Sequence, residues 1–194
     1  MTAMTKTIAS TLTALALVAG APAFAAPESY VLDSRHSFPV FQVNHLGLSL
    51  QWGRFKKATG RITIDREART GTIELSIDAA TIDMGLDKWD EVMRGEDYFN
   101  VAQFPTLAFR SGRVLFDGDK VSGAEGELTM LGVTRPVTVA LSGFNCITHP
   151  INKKNVCGGM ATATIRRSEY GMTKGIPGTA DEVRLNMAVE AFKE

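Results

Sequence analysis

Apolar and polar residues alternate with period two along much of this chain. Four runs carry the pattern most clearly: Ile62 and Ile64; Ile73, Leu75 and Ile77; Val137, Val139 and Leu141; and Val183, Leu185, Met187 and Val189. Because successive side chains of a strand point to opposite faces, each run predicts a strand with one apolar and one polar face. An antiparallel sheet closed around an apolar interior accommodates such strands.

Glycines punctuate the strand-like runs at short spacing. Gly71, Gly112 and Gly132 separate neighbouring runs, and Asp117-Gly118 lies between two of them, where a tight hairpin favours this dipeptide. Local hairpins predict an up-and-down order of strands.

The alternation stops over residues 81–104. Residues 87–94 predict a short helix that ends near Gly95, with Trp89, Val92 and Met93 on one face. The helix either caps one end of a barrel or packs on the outside of the sheet.

Four acidic residues cluster around this helix: Asp83, Asp87, Asp90 and Glu91. Such carboxylates serve in acid-base chemistry or in calcium binding. The simpler interpretation is helix N-terminal capping by Asp83 and Asp87, because carboxylates there meet unpaired amides.

Residues 1–25 have the features of a secretory signal peptide. Lys6 precedes an apolar run, residues 8–18, that is too short to span a bilayer, and Ala23-Phe24-Ala25 forms a small-x-small cleavage site. We expect cleavage before Ala26, although a retained membrane anchor is the alternative. The predicted domains are therefore a signal peptide, 1–25, and one exported domain, 26–194.

The charge balance argues against a nucleic-acid partner. Loss of Lys6 with the leader leaves 20 basic and 21 acidic residues, and the two signs are interspersed rather than gathered in a basic stripe. About 169 residues suffice for one domain with a single core.

Two cysteines, Cys146 and Cys157, flank a segment rich in Asn, Thr and Pro that predicts a turn between strands. In an oxidising compartment this pair predicts one disulfide. A redox-active pair is the alternative, although such pairs are usually closer together.

The chain has no recognisable catalytic motif. His36, His45 and His149 are scattered, and neither zinc-protease, nucleophile-elbow nor phosphate-loop patterns occur. Alternation places His45 on the face of Phe41 and Val43, which predicts a hydrogen-bonded histidine near an interior mouth. We therefore expect no catalytic residue and no metal site.

Small residues on interior-facing positions suggest space inside a barrel. Ala58, Gly60, Ala161 and Ala163 share faces with larger apolar residues. A closed barrel of about eight strands has room for one slender apolar ligand, unless Phe and Met side chains fill it.

Several motifs, in order, resemble those of the YceI-like family. They are residues 36–47 followed by Gly53-Arg54-Phe55, residues 94–100 (RGEDYFN), residues 104–109 (FPTLAF) and residues 126–137 (GELTMLGVTRPV). The resemblance covers the chain after the leader. One departure is Val92, at a position where many members carry a histidine.

The resemblance implies an all-β fold: a lipocalin-like, eight-stranded antiparallel β-barrel with a short capping helix. It also implies a periplasmic protein with no catalytic residues and no cofactor, whose ligand is a long polyisoprenoid, either an isoprenoid quinone or a polyprenyl phosphate, held in an apolar pore. Transient contact with a membrane or membrane protein is compatible with that role. This inference rests on the analogy of fold and family. The residues alone do not decide between a monomer and a homodimer.

On this basis we expect a defined set of residues to bind the lipid. Strand residues line the pore, helix residues close one end, and His45 or Asn44 offers a polar group at a mouth. The set is Phe41, Val43, His45, Ile62, Ile64, Ile73, Leu75, Ile77, Trp89, Met93 and Phe99.

Two other functions remain open at this stage. A redox or stress-response accessory protein would hand a bound quinone to a membrane partner. An exported enzyme acting on an isoprenoid would need convergent titratable groups, and His45, Asp90 and Glu91 are the candidates to bring together.

Overall fold

A computed structural model describes residues 26–194, and it consists mainly of β-strands. The predicted leader lies outside these residues. The strands are β1 (Glu28–Leu32), β2 (Pro39–His45), β3 (Ser49–Phe55), β4 (Ala58–Asp65), β5 (Thr70–Asp78), β6 (Ile82–Asp83), β7 (Thr106–Asp117), β8 (Lys120–Met130), β9 (Val133–Thr148), β10 (Asn155–Arg166) and β11 (Thr179–Lys193). Helix α1 spans Asp87–Arg94, and two 3₁₀ turns span Ala79–Thr81 and Arg167–Tyr170.

The strands form a closed antiparallel barrel with eight positions. Three positions each hold two consecutive short strands: β1 with β2, β3 with β4, and β5 with β6. The long strand β11 closes the barrel, since its last residues pair with β1 and its first residues with β2. Neighbours in space follow chain order, which confirms the predicted up-and-down barrel.

The barrel has two different ends. The hairpin end carries the loops of residues 66–69, 118–119 and 149–154. The helix end carries the turn of residues 46–48, the segment 79–105 with α1, the turn of residues 131–132 and the segment 167–178.

The predicted hairpin at Asp117-Gly118 is present. Asp117 pairs with Lys120 across a two-residue loop, and Gly118 has a φ of 57°. Two-residue hairpin loops need a positive φ, which glycine adopts without a steric penalty, so this dipeptide suits the turn.

Helix α1 has the predicted bounds, but its acidic residues act differently from the prediction. Leu86 occupies the N-cap and makes no side-chain cap hydrogen bond. Asp83 accepts a hydrogen bond from the Gly85 amide and pairs with Arg54 at 3.0 Å. The predicted capping hydrogen bonds are therefore wrong: the turn before the helix occupies the Asp83 carboxylate, and Asp87 lies in the first turn, where its charge meets the positive end of the helix, without a capping hydrogen bond.

The buried acid of the helix is Asp90. Its carboxylate accepts a hydrogen bond from the Met84 amide at 2.7 Å and holds the chain that enters the helix. The predicted apolar face is only partly present: Met93 packs on the core, whereas Val92 is exposed.

The predicted disulfide joins Cys146 on β9 to Cys157 on β10. These residues are direct cross-strand partners, and their Cα atoms lie 4.0 Å apart. Cys157 is buried beside Tyr30 and Ala191, so the bond fixes the hairpin end of the barrel wall.

Closure of the barrel at β1 is reinforced by a charged group. Glu28 accepts hydrogen bonds from Lys193 at 2.6 Å, from Tyr30 at 2.8 Å and from Arg66 at 3.1 Å. The hydrogen bond from Lys193, supported by those from Tyr30 and Arg66, outweighs burial and lowers the pKa of Glu28 to about 2.

This network predicts acid sensitivity. A carboxylate whose pKa is lowered by folding stabilises the protein above its unfolded pKa of about 4.5, and the stabilisation is lost as the pH falls toward 2. We expect Glu28→Gln to remove about 1–2 kcal/mol at pH 7 and almost nothing at pH 2. Urea unfolding of both proteins across this range measures the difference.

The exposed Glu96 provides the control for that titration. Among residues 26–194 it has no ion-pair partner, so Glu96→Gln should leave the free energy of unfolding unchanged at both pH values. A Glu28→Gln deficit that persists at pH 2 would contradict the electrostatic account.

Candidate functional site: an apolar pore

A cavity of about 580 Å³ lies inside the barrel, and its lining residues come from both ends of the strands. This volume lies within the range of about 300–1,000 Å³ that is usual for small-molecule sites. Side chains from strands all around the barrel and from the helix segment form its wall, and most of them are apolar. The interior therefore contains open space beside its packed core residues.

All eleven residues that were predicted to bind lipid line this pore. They are Phe41, Val43, His45, Ile62, Ile64, Ile73, Leu75, Ile77, Trp89, Met93 and Phe99. The small residues Gly60, Ala161 and Ala163 also line it and leave space there, whereas Ala58 lies in the buried core. Contact of these residues with a ligand stays a prediction.

Bulky apolar side chains line the pore at the hairpin end. Ile64, Val114 and Val121 form one buried cluster there, and Tyr30 packs with Phe144 and Cys157 in another. Both clusters reach the lining of the pore. The hairpin end of the pore is therefore lined by closely packed apolar side chains.

The pore opens at the helix end, beside β3. Within residues 26–194, β3 pairs on its outer side only at Arg54 and Phe55, so residues 49–53 form a free edge. The exposed residues His45, Gln51 and Trp89 line the pore here. They mark its mouth.

Close packing under the mouth requires a glycine. A Cβ atom at Gly53 would overlap the ring of Phe41 and the sulfur of Met84. Phe41, Phe55 and Phe99 form an aromatic cluster at this level, with ring centroids 5.2–6.3 Å apart. This packing positions the segment around α1 against the barrel.

The two polar groups predicted at the mouth need correction. The Asn44 side chain accepts a hydrogen bond from the Gly47 amide at 2.7 Å and so belongs to the β2–β3 turn. His45 does line the mouth, but its ring makes no hydrogen bond to residues 26–194, in contrast to the prediction. It is exposed, because it is the last residue of β2.

The residues proposed for an enzyme do not form one acid-base group. Asp90 binds the Met84 amide, and Glu91 pairs with Lys88 at 3.3 Å. The described chain brings three metal-type ligands together only at Asp33, His36 and Glu190, within 4.8 Å of one another.

Two of these three side chains, His36 and Asp33, already bind each other. His36 Nδ1 lies 2.8 Å from the Asp33 carboxylate, and Asp33 also binds Arg35. Burial opposes the ionisation of Asp33, but these hydrogen bonds outweigh it and lower its pKa to about 2. The absence of a metal site stays a prediction.

Sequence reasoning missed the buried charged residue in the lining of the pore, Arg167. It also left out lining residues from the second half of the chain, such as Tyr98, Leu107 and Phe109. A signal for Arg167 was present, because the inward alternation Ala161, Ala163, Ile165 continues to it.

The fold and the pore define a lipocalin-like barrel with an internal apolar site. The family model described as YceI-like domain matches residues 30–191, and the chain belongs to this family. It is 28% identical over 190 residues to a UPF0312 protein of Pseudomonas paraeruginosa, covering 97% of this chain and 98% of the relative. It is 29% identical over 163 residues to protein YceI of Salmonella arizonae, covering 84% of each.

Solved structures show the same fold. BcnA of Burkholderia cenocepacia matches with a TM-score of 0.68 at 23% identity, over 82% of this chain and 98% of that protein. A polyisoprenoid binding domain from Saccharophagus degradans, described as implicated in plant cell wall breakdown, matches with a TM-score of 0.62 at 16% identity. That match covers 85% of this chain and 98% of the domain.

Proposed function

We propose that this protein is a non-catalytic carrier that binds one long polyisoprenoid, an isoprenoid quinone or a polyprenyl phosphate, inside the barrel. The apolar pore inside the barrel, with exposed residues in its lining at the helix end, carries this proposal. Family membership and the polyisoprenoid binding domain among its structural neighbours support the ligand class.

Burial of the ligand chain supplies the driving force. Each methylene removed from water contributes about 0.8 kcal/mol, from which the cost of ordering the chain is subtracted. A pore lined mostly by aliphatic and aromatic side chains discriminates by length and shape more than by chemistry. No cofactor is needed for such binding.

We place the carrier in the periplasm. The leader expected over residues 1–25 and the disulfide between Cys146 and Cys157 support this proposal, because disulfides persist in oxidising compartments. In residues 26–194, none of the helices has the length and apolar character that crossing a membrane requires.

The two tryptophans provide a direct test of occupancy. Trp89 lines the mouth, whereas Trp52 lies outside the pore lining, and the two are exposed to similar degrees, 52% and 55%. Because a quinone ring quenches a nearby indole, titration with an isoprenoid quinone should quench wild-type fluorescence to saturation. We expect Trp52→Phe to retain this quenching and Trp89→Phe to lose most of it.

Comparison of the two variants distinguishes quenching by a quinone bound in the pore from quenching by collisions at the protein surface. Equal quenching of both variants without saturation would show contact at the protein surface and contradict binding in the pore. A water-soluble quinone without the isoprenoid tail serves as the control ligand.

We further propose that the mouth docks on a bilayer surface to exchange its ligand. Eight of the twelve large apolar residues that are exposed within residues 26–194 lie at the helix end and on the free edge of β3. They are Leu46, Leu48, Leu50, Trp52, Leu86, Trp89, Val92 and Ile176. Because the pore opens within this group, an isoprenoid can pass into a membrane without crossing water, which favours a lipid surface as the partner.

Two exposed aliphatic residues, one at each end of the barrel, test whether the helix end docks on the membrane. Leu48 is 83% exposed at the helix end, and Ile151 is 86% exposed at the hairpin end. We expect Leu48→Asp to weaken binding to phospholipid vesicles at least about tenfold, since one aliphatic side chain no longer enters the interface. Ile151→Asp should have little effect in the same sedimentation assay, and equal effects of both would contradict the assigned orientation.

A further inference from the structure

Arg167 is a buried cation in the wall of a mostly apolar pore. It follows β10 in the 3₁₀ turn at the helix end, lines the pore, and is only 4% exposed. Charged side chains are rarely buried to this extent without an ion-pair partner.

The guanidinium is held by neutral carbonyl groups. Its Nε donates to Ala180 at 2.9 Å, one Nη donates to Met172 at 3.2 Å and Lys174 at 2.8 Å, and the other Nη donates to Thr179 at 2.9 Å. A guanidinium has five N–H donors, so one remains without an acceptor among residues 26–194.

The charge itself is not neutralised by a salt bridge. No carboxylate in the described part of the chain lies within 4.0 Å of Arg167. Asp181, on the neighbouring strand, directs its two oxygens to the amide and the hydroxyl of Ser168, each at 2.8 Å. The lining of the pore therefore contains a buried cation, one of whose N–H donors has no acceptor among residues 26–194.

The two ends of the pore also differ in polarity. At the helix end, Arg167 is accompanied in the lining by His45, Thr179 and Tyr98. At the hairpin end the lining is apolar apart from Tyr30, whose hydroxyl already donates to Glu28. A ligand with one polar end fits this asymmetry in one direction.

We propose that Arg167 is the head-group subsite of the pore and selects an isoprenoid with an anionic, phosphate-type head. The head lies at the helix end, and the tail extends toward the hairpin end. This inference rests on the proposed carrier function and adds the class of head group and the orientation of the lipid.

A structural role alone would make a different prediction. The carbonyl bonds show that Arg167 also fastens the segment 172–180, and a loss of this clamp would weaken every ligand equally. A head-group subsite instead changes the ratio of affinities for an anionic and a neutral ligand of the same length.

The test compares a polyprenyl monophosphate with the polyprenol of identical chain length on the delipidated protein. We expect the wild type to bind the phosphate at least tenfold more tightly. Arg167→Met should reduce this ratio to near one while changing the polyprenol affinity less than threefold, and Arg167→Lys should retain part of it. The exposed neighbour Arg166 provides the control, because Arg166→Met should leave the ratio unchanged.

Cross-linking of a lipid to the wild-type protein tests the orientation of the ligand even if both Arg167 variants fail to fold. A polyprenyl phosphate with a photoreactive group at its tail end should cross-link to the hairpin end, near Tyr30 and Phe144. Equal affinities of the wild type for the polyprenyl monophosphate and the polyprenol, or cross-links at the helix end, would contradict the head-group subsite. Neither result would contradict the proposed carrier function. Failure of both ligands to bind would instead contradict the carrier function itself.

Discussion

Simultaneous replacement of Ala161 and Ala163 by phenylalanine should abolish lipid binding and leave the barrel folded. Both alanines line the pore from β10, so the two rings enter space that the ligand needs. Exclusion of one isoprene unit removes about 4 kcal/mol of methylene burial, at about 0.8 kcal/mol each, which corresponds to about a thousandfold in Kd. Titration with a polyprenyl ligand measures this loss.

The outer face of the same strand supplies the control. Thr164 is exposed and points away from the pore, so Thr164→Phe adds a ring to β10 without occupying the interior. It should bind lipid like the wild type. Unchanged binding by the double alanine variant, with an intact circular dichroism spectrum, would contradict the assignment of the pore as the ligand site.

Removal of the disulfide should cause the largest loss of stability. The bond closes a loop with a sequence separation of 11 between Cys146 and Cys157. The loop-entropy model gives up to about 3 kcal/mol for a loop of this size, which corresponds to a fall in Tm of about 6–12 °C for a domain of this length. We expect this fall for the double variant Cys146→Ala and Cys157→Ala.

Thermal unfolding with and without a reductant provides the internal control. Reduced wild type should unfold near the temperature of the double variant, and the reductant should not change the variant further. If the oxidised wild type and the variant shared one Tm, the cross-link would contribute no stability.

Short-range patterns were sufficient to predict most of the fold. Alternation predicted the strands that contain Ile73, Leu75 and Ile77, since a half-buried strand imposes period two on its residues. The loss of alternation predicted α1 with its bounds. Closure into eight positions came from the family resemblance, because alternation does not determine which strands pair.

The acidic residues show why the details of the site were harder to predict. Asp83, Asp87 and Asp90 all suit a helix start by composition, and only the path of the chain decides which carboxylate meets which amide. The structure uses Asp90 to bind Met84, a contact that depends on the turn between them. Sequence spacing contains no measure of that turn.

For Arg167, the sequence did contain a pattern that places it in the pore, but its charge favoured an exposed position. Its position continues the inward alternation of β10, yet a charged residue at the end of an apolar run is usually exposed. Its burial depends on four carbonyl groups from the segment 172–180. This segment follows the 3₁₀ turn and folds back against Arg167. Such a non-local arrangement is visible only in the folded structure.

Native mass spectrometry of the protein purified from its own host tests the carrier function most directly. The carrier function predicts a complex of one protein with one polyprenyl lipid, which solvent extraction then identifies. A bare protein mass that remains unchanged after addition of an isoprenoid quinone and of a polyprenyl phosphate would contradict it.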